Sequence, residues 1–415
     1  MNDLRLSFTS TVLAACALGG AATVTAEDGG AASAETAAAA AIQRFDFLDA
    51  AYLPGLDRIA VAGLHGLVGL IEVGDGTATL ELVEGRPDKD FTALAQVGDD
   101  SALLGTSTGH LYRFDGKKAT EIAALSEYNE PILDIDAGQA GIWVVGARGL
   151  VARSTDGENF ETVEIRDVTQ PMTTFPGAQP ADWYFGVSNV DLESVEFTAF
   201  VNGEPAVEEE HYIMFPDEGF VQFQTQLDMD PPPSIAFKFN PGPPFRIGDV
   251  SWNVVMVEGS TVTLAGEFGM VLQSTDNGET WVRRDTSFVP REPEPAYWLA
   301  GAQEGETLWL TGAAGVSQRS TDGGATWIDN PKPGREGIFG ITLMENKTPV
   351  IAGAVGLIGF LEDGKWQLAD RTRLKLLSWL KTPVVMPDGS LLIMGGRATA
   401  IRYKDGEFQR VPVSL

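Results

Sequence analysis

Few residues in this chain have the types and spacings that chemistry needs. Its 415 residues hold three histidines, His65, His110 and His211, and a single cysteine, Cys16. No two histidines stand four apart, and without thiolates the usual zinc ligand sets cannot be assembled. Asp228-Met229-Asp230 and Glu208-Glu209-Glu210 could offer oxygen ligands to calcium, but neither has the glycine-spaced loop of such a site, so both read as solvated acidic loops. There is no phosphate-cradling Gly-x-x-x-x-Gly-Lys and no Gly-x-Ser-x-Gly elbow. No cofactor and no metal is therefore expected. The 58 acidic residues offer carboxylate pairs for glycoside chemistry, yet no spacing selects one.

The cations are better patterned. Arg113, Arg153, Gln273, Arg319 and Arg402 each follow by four residues the end of a repeated turn motif. At equivalent places on successive modules they would form a partial ring of charge. Two readings stay open: each arginine pairs with a nearby carboxylate, or together they receive an acidic partner segment. A second group, Arg371, Arg373, Lys375 and Lys381, interleaves with Leu374, Leu376, Leu377 and Trp379. It reads either as a strand with charged flanks or as a docking surface.

The elements that position these residues are announced by the repeat. A hydrophobic residue, Gly-x-x-Gly and then an Asp-Gly turn recur from Gly63, Gly105 (one residue longer), Gly146, Gly266, Gly312, Gly353 and Gly395. Successive first glycines are roughly 41–46 residues apart with one exception, which is the period of a four-stranded propeller blade. Seven copies predict an all-β, seven-bladed β-propeller. The third copy predicts strands at Ile132–Ile135, Ile142–Val145, Leu150–Arg153 and Phe160–Val163. The fourth predicts them at 252–256, 262–264, 270–272 and 281–283.

The exception is the interval from Gly146 to Gly266, roughly 75–80 residues longer than one period. We assign residues 43–165 to blades one to three, 166–245 to an inserted β excursion between blades three and four, and 246–415 to blades four to seven. The insertion opens with a polar linker, Arg166 to Asp182. It continues with strand-like runs at 183–187, 195–201, 211–215, 220–224 and 235–239, with a hairpin signal at Asn202-Gly203. A degenerate eighth blade is the alternative, but no Gly-x-x-Gly supports it.

Composition narrows the partners. A net charge of −29 and a pI near 4.3 leave no basic stripe for phosphates, so nucleic acid is excluded as a partner. Residues 1–26 look like an export signal, with Arg5, an apolar stretch and Val24-Thr25-Ala26 as a small-x-small cleavage site. Leu13-Ala14-Ala15-Cys16 also resembles the bacterial lipoprotein processing box, which would make Cys16 the lipidated residue. Residues 27–42 read as a flexible tether. The chain is thus expected to be exported and periplasmic, either free or lipid-anchored, with the membrane reached only through lipid or partner, and monomeric.

Three of the Asp-Gly hairpins are elaborate: Ser274-Thr275-Asp276-Asn277-Gly278-Glu279-Thr280-Trp281, Ser320-Thr321-Asp322-Gly323-Gly324-Ala325-Thr326-Trp327 and the shorter Ser154-Thr155-Asp156-Gly157-Glu158-Asn159-Phe160. Ser and Asp oxygens can accept backbone N–H groups across the turn, glycine supplies an otherwise unfavourable φ, and the aromatic packs into the sheet. These segments resemble the Asp-box, or bacterial neuraminidase repeat. That resemblance implies a structural role for Ser154, Asp156, Phe160, Ser274, Asp276, Gly278, Trp281, Ser320, Asp322, Gly324 and Trp327. The wider pattern resembles the photosystem II assembly and stability factor class of propellers, sharply in three of the seven copies. It implies a non-catalytic scaffold that helps assemble or stabilise a membrane complex; the acidity and the insertion depart from it.

The expected function is therefore an exported scaffold or assembly factor binding an envelope or membrane protein complex. Arg113, Arg153, Arg319, Arg402, Arg371 and Arg373 are its candidate partner contacts, and no residue is assigned as catalytic. Two other classes are weighed: a sialidase-like carbohydrate-active hydrolase and a passive periplasmic ligand-binding protein. The hydrolase would need an arginine trio and a Tyr–Glu pair. Phe245-Arg246-Ile247-Gly248 is similar to a Phe-Arg-Ile-Pro segment of sialidases, but has glycine for proline and lies after the first Asp-Gly hairpin of this type.

Overall fold

Each repeat folds into a four-stranded antiparallel meander, and the fourth shows why. Its strands are Trp252–Glu258, Thr261–Gly266, Val271–Ser274 and Trp281–Arg283. The second strand buries Val262, Leu264 and Ala265 completely, as suits a strand covered on both faces. The two glycines of the following turn serve different ends. A Cβ on Gly266 would run into the Ser251 carbonyl, whereas Gly269 has φ +71°. Between them Phe268 has φ 56°, a left-handed conformation unfavourable for an L-residue. The same conformation recurs at His65, Arg148, Ala314, Val355 and Arg397 in the matching turns.

The structure is a computed structural model describing residues 42–74, 76–165, 168–174, 182–184, 190–201, 204–215, 220–223, 234–241, 250–284 and 296–415. The other innermost strands are Phe47–Leu53, Phe91–Gln96, Ile132–Gly138, Trp298–Glu304, Ile338–Leu343 and Leu380–Val385. Each packs on the next, and the last packs on the first, which closes a ring of seven blades. In every blade the innermost ladder skips one residue: Leu48, Thr92, Leu133, Asn253, Leu299, Phe339 or Lys381. This is a β-bulge repeated seven times at one level of the ring. Apolar clusters fill the spaces between blades; one joins Phe91, Phe114 and Tyr112 to Ala60 and Val68.

Both ends of the described chain lock blade seven to blade one. Val413–Ser414 adds as a fifth strand, parallel to Ala78–Leu82 of blade one. Ile42 and Phe45 are buried with Val384, Leu392, Met394 and Val411. The Ala398 N–H donates to the Phe45 carbonyl at 2.8 Å, and the Arg397 N–H to Asp46 Oδ1 at 2.8 Å.

Between blades three and four, Val168–Thr174 pairs parallel with Trp281–Arg283, the outermost strand of blade four. Ser234–Pro241, Val190–Val201 and Glu204–Pro205 continue this sheet to eight strands. Asp182–Tyr184, Phe220–Phe223 and Tyr212–Phe215 form a separate three-stranded sheet. Residues 168–174 fall in the stretch that composition marks as a linker. Their strand depends on the open edge of blade four, which no local pattern announces. Cys16 and the rest of residues 1–41, Asp75, Asn202-Gly203, Asp228–Asp230 and Phe245–Gly248 lie outside the described residues.

Candidate functional site

Because the meander alternates direction, the Gly-x-x-Gly turns and the blade-to-blade connections, including the insertion, emerge at one end of the ring. The Asp-Gly hairpins emerge at the other. The elaborate hairpins are closed internally. Ser274 Oγ donates to Asp276 Oδ1 at 2.7 Å and accepts the Gly278 N–H at 2.7 Å. Asp276 also accepts the Thr280 N–H at 2.9 Å and the Thr280 hydroxyl at 2.6 Å. Ser320, Asp322, Gly324 and Thr326 repeat this network, and Ser154, Asp156, Gly157 and Asn159 make a shortened version. Desolvation raises the Asp276 carboxyl, but the Thr280 and Ser274 hydrogen bonds outweigh it and bring it down to about 2. The Asn159 N–H and side chain hold Asp156 well below the carboxylate range, and the Thr326 hydroxyl and N–H lower Asp322. Trp281 is buried and meets Trp143 of blade three edge-on at 6.0 Å.

The row of four arginines and Gln273 sits on third strands, and four of its members point to the following blade. Arg113 donates to the Gly157 carbonyl, Arg153 to the Asn277 carbonyl at 2.8 Å, and Gln273 to the Gly323 carbonyl at 2.6 Å. Arg402 reaches the Gly74 carbonyl at 3.3 Å and Asp388 at 2.9 Å. Four members of the row thus fasten the hairpin of the next blade, and carboxylates such as Glu161 beside Arg153 add to this. The fifth, Arg319, lies 5.5 Å over the ring of Trp309. At the equivalent place in blade six, Phe360 packs instead on Tyr403 and Phe408. Arg371 pairs with Glu336 at 3.0 Å, and Arg373 donates to the Phe408 carbonyl at 3.3 Å.

An inner set of side chains makes contacts of the same direction, and sequence reasoning missed it. Asp49 accepts the Leu94 N–H at 2.7 Å, Asp134 the Val255 N–H at 2.9 Å and Asp136 the Val257 N–H at 2.7 Å. Thr92 donates to the Ile132 carbonyl, at 2.5 Å, and Asn253 to the Trp298 carbonyl, at 2.7 Å. These groups satisfy the free edges of innermost strands, which would otherwise stay unpaired. Burial pushes Asp134 up to about 8 and Asp136 up to about 6, and it raises Asp49; the Lys381 charge opposes this at Asp49 and Asp134. The signal was in the sequence: carboxylates two apart inside the apolar strand Ile132-Leu133-Asp134-Ile135-Asp136.

At the turn end, the Tyr297 hydroxyl donates to Glu267 Oε1 at 3.0 Å, and Glu267 Oε2 accepts the Ser251 N–H at 2.9 Å. Burial and the Glu267 charge raise the phenol, which keeps its proton. The histidines stand apart. The His65 backbone N–H donates to Asp90 Oδ1 at 2.8 Å, His110 Nδ1 meets Glu121 at 2.8 Å, and His211 Nδ1 accepts the Val207 N–H at 2.8 Å. No group of three or more metal-capable side chains gathers among the described residues. None of their helices is long and apolar enough to cross a membrane. Phe268, Val355 and Leu377, by contrast, stand exposed at the turn end, Leu377 by 93%.

No protein-family model matches the sequence, and neither does any curated protein. Solved structures do. YCF48 bound to D1 peptide aligns with a TM-score of 0.51 at 14% identity, over 87% of this chain and 93% of that one. The WD40 β-propeller domain of Doa1 aligns at 0.52 and 9% identity, over 87% and 93%. Virginiamycin B lyase from Staphylococcus aureus aligns at 0.48 and 12% identity, over 79% and 86%. At such identities the likeness is one of fold. The chain is a seven-bladed β-propeller.

Proposed function

We propose that this propeller is a non-catalytic scaffold that binds a protein partner through its turn end. One observation carries the reading: polar side chains such as Arg153 and Asp134 are spent on the neighbouring blade, while large apolar residues stand bare where turns, connections and insertion converge. A similarly folded protein, YCF48, has a peptide bound in its structure, which supports the same use of the fold here. We read the Ser-Thr-Asp hairpins as Asp-boxes, with Ser154, Asp156, Phe160, Ser274, Asp276, Gly278, Trp281, Ser320, Asp322, Gly324 and Trp327 in structural roles. We further propose export to the periplasm by the N-terminal signal, removed either through Ala26 or before Cys16, which in the second case becomes the lipid-attachment residue, with an envelope protein complex as partner.

The test is affinity purification of the full chain from solubilised membranes, identification of the co-eluting protein, and a titration of the purified pair. A saturable one-to-one complex is expected; absence of any stoichiometric partner would sink the proposal. The mass of the mature N-terminus decides the fate of Cys16. A second reading, hydrolysis of glycosides, is favoured only by the Tyr297–Glu267 pair. Turnover of aryl glycosides that Tyr297→Phe abolishes would establish it in place of the scaffold.

A further inference from the structure

The loop of residues 369–379 joins blade six to blade seven along the turn end, and it is built to hold one leucine in water. Leu374 and Leu376 are buried in the core between these blades. Leu376 lies so close to the turn of blade six that a Cβ on Gly356 would strike it. Ser378 and Trp379 press in the same way on Gly396 in the turn of blade seven. Leu377, between these two anchored points, is 93% exposed. The loop therefore spans two neighbouring turn tips: Val355, 58% exposed with φ 52°, and Arg397, exposed with φ 57°. A β-branched residue in the left-handed region is costly, and this one stays more than half exposed.

The charges around this apolar strip are unusual for the chain. Asp and Glu outnumber Lys and Arg by 58 to 29, yet Arg371, Arg373, Lys375 and Arg397 gather here against Asp370, Glu336 and Asp46. Arg371 is neutralised by Glu336, and Arg373 is tied to the Phe408 carbonyl. Lys375 and Arg397 are exposed, and among the described residues neither side chain makes an ion pair; Asp46, which accepts the Arg397 N–H, is bound to the backbone and not to the guanidinium. In a protein of net charge −29, two unpaired cations beside a bare leucine mark where the field favours an anionic ligand.

We propose that Leu377, Val355 and Trp379, flanked by Lys375 and Arg397, form the docking surface for an acidic segment of a partner protein that carries one large apolar side chain. The apolar residue packs on Leu377 and Val355, and the flanking carboxylates meet Lys375 and Arg397. This inference rests on the protein-binding reading and narrows it to one sector of the ring.

Three labelled peptides of equal length test it by fluorescence anisotropy against the full chain: acidic with one leucine or phenylalanine, acidic without it, and basic with it. The first should bind, weakened roughly tenfold by Leu377→Asp and by Lys375→Glu with Arg397→Glu, and further by added salt. Ile328→Ala, an exposed apolar residue on the outermost strand of blade five and away from the turn end, should leave affinity unchanged, and unaltered melting shows that each variant folds. Equal binding of the three peptides, or no effect of the blade six and seven variants, overturns the proposal. So does Leu377-dependent binding to phosphatidylglycerol vesicles without peptide binding, which would assign the strip to a lipid surface. If a partner from membranes binds the Leu377→Asp and Lys375→Glu/Arg397→Glu chains as tightly as the parent, this surface is wrong while the scaffold reading stands. If no partner exists, the scaffold reading itself falls.

Discussion

The Arg402 guanidinium donates to the carbonyl of Gly74, 3.3 Å away, and so fastens the last blade to the first. The contact repeats what Arg113, Arg153 and Gln273 do for blades within the chain. At the ring's seam it has added weight, because no peptide bond joins these blades. Arg402→Ala should destabilise the fold by about 1.5–3 kcal/mol, the range for a charge-assisted hydrogen bond. Urea denaturation measures it. Arg402→Lys should recover only part, since a lysine cannot reach Gly74 and Asp388 with separate nitrogens of a planar fork.

Removal of residues 411–415 tests the seam by another route. Val411 is buried, the Ala78 N–H donates to the Pro412 carbonyl at 2.9 Å, and Val413 pairs with Ala78. Loss of one buried valine and these backbone bonds should lower stability by about 2–4 kcal/mol. An unchanged melting temperature would mean that this strand contributes nothing to closure.

Asp134 and Asp136 make stability depend on pH. Their folded values, about 8 and about 6, lie above the ordinary carboxylate value of about 3.9. Between these limits the folded chain holds more protons than the unfolded one, so stability falls as pH rises through the folded values. Each group adds at most about 1.4 kcal/mol per pH unit. Thermal melts should therefore decline from pH 5 to pH 8. Asp134→Asn, whose amide oxygen can still accept the Val255 N–H, should flatten the upper part of that decline. A variant curve parallel to the parent's would rule out Asp134 as the source.

The hairpin aspartates should matter for folding and not for binding. Asp276→Ala removes acceptors for Ser274 and Thr280 and leaves the Thr280 N–H to water. The loss should be about 1–2 kcal/mol, limited by the exposure of the turn. Binding of a captured partner, measured well below the melting temperature, should not change. A folded Asp276→Ala chain with lost binding would overturn the structural role.

The sequence by itself determined the blade. The periodic glycines, the apolar second strands and the Ser-Thr-Asp hairpins encode local needs: close approach at Gly266, a positive φ at Gly269, and acceptors placed two and four residues from their donors. Such needs act over a few residues and so leave a readable pattern. Only tertiary structure decided what the blades do to each other. Arg153 and Asn277 stand 124 positions apart and Arg402 and Gly74 stand 328 apart, so no spacing could announce that the cations would be absorbed by carbonyls of the next blade. The same holds for Asp134, whose partner exists only once two innermost strands lie side by side. Val168–Thr174 became a strand because blade four offered an unpaired edge, and Leu377 was set apart from Leu374 and Leu376 by the two turns that pin its neighbours. Sequence fixes which hydrogen-bonding groups and apolar surfaces the chain carries; which of them remain free for a partner is settled when the ring closes.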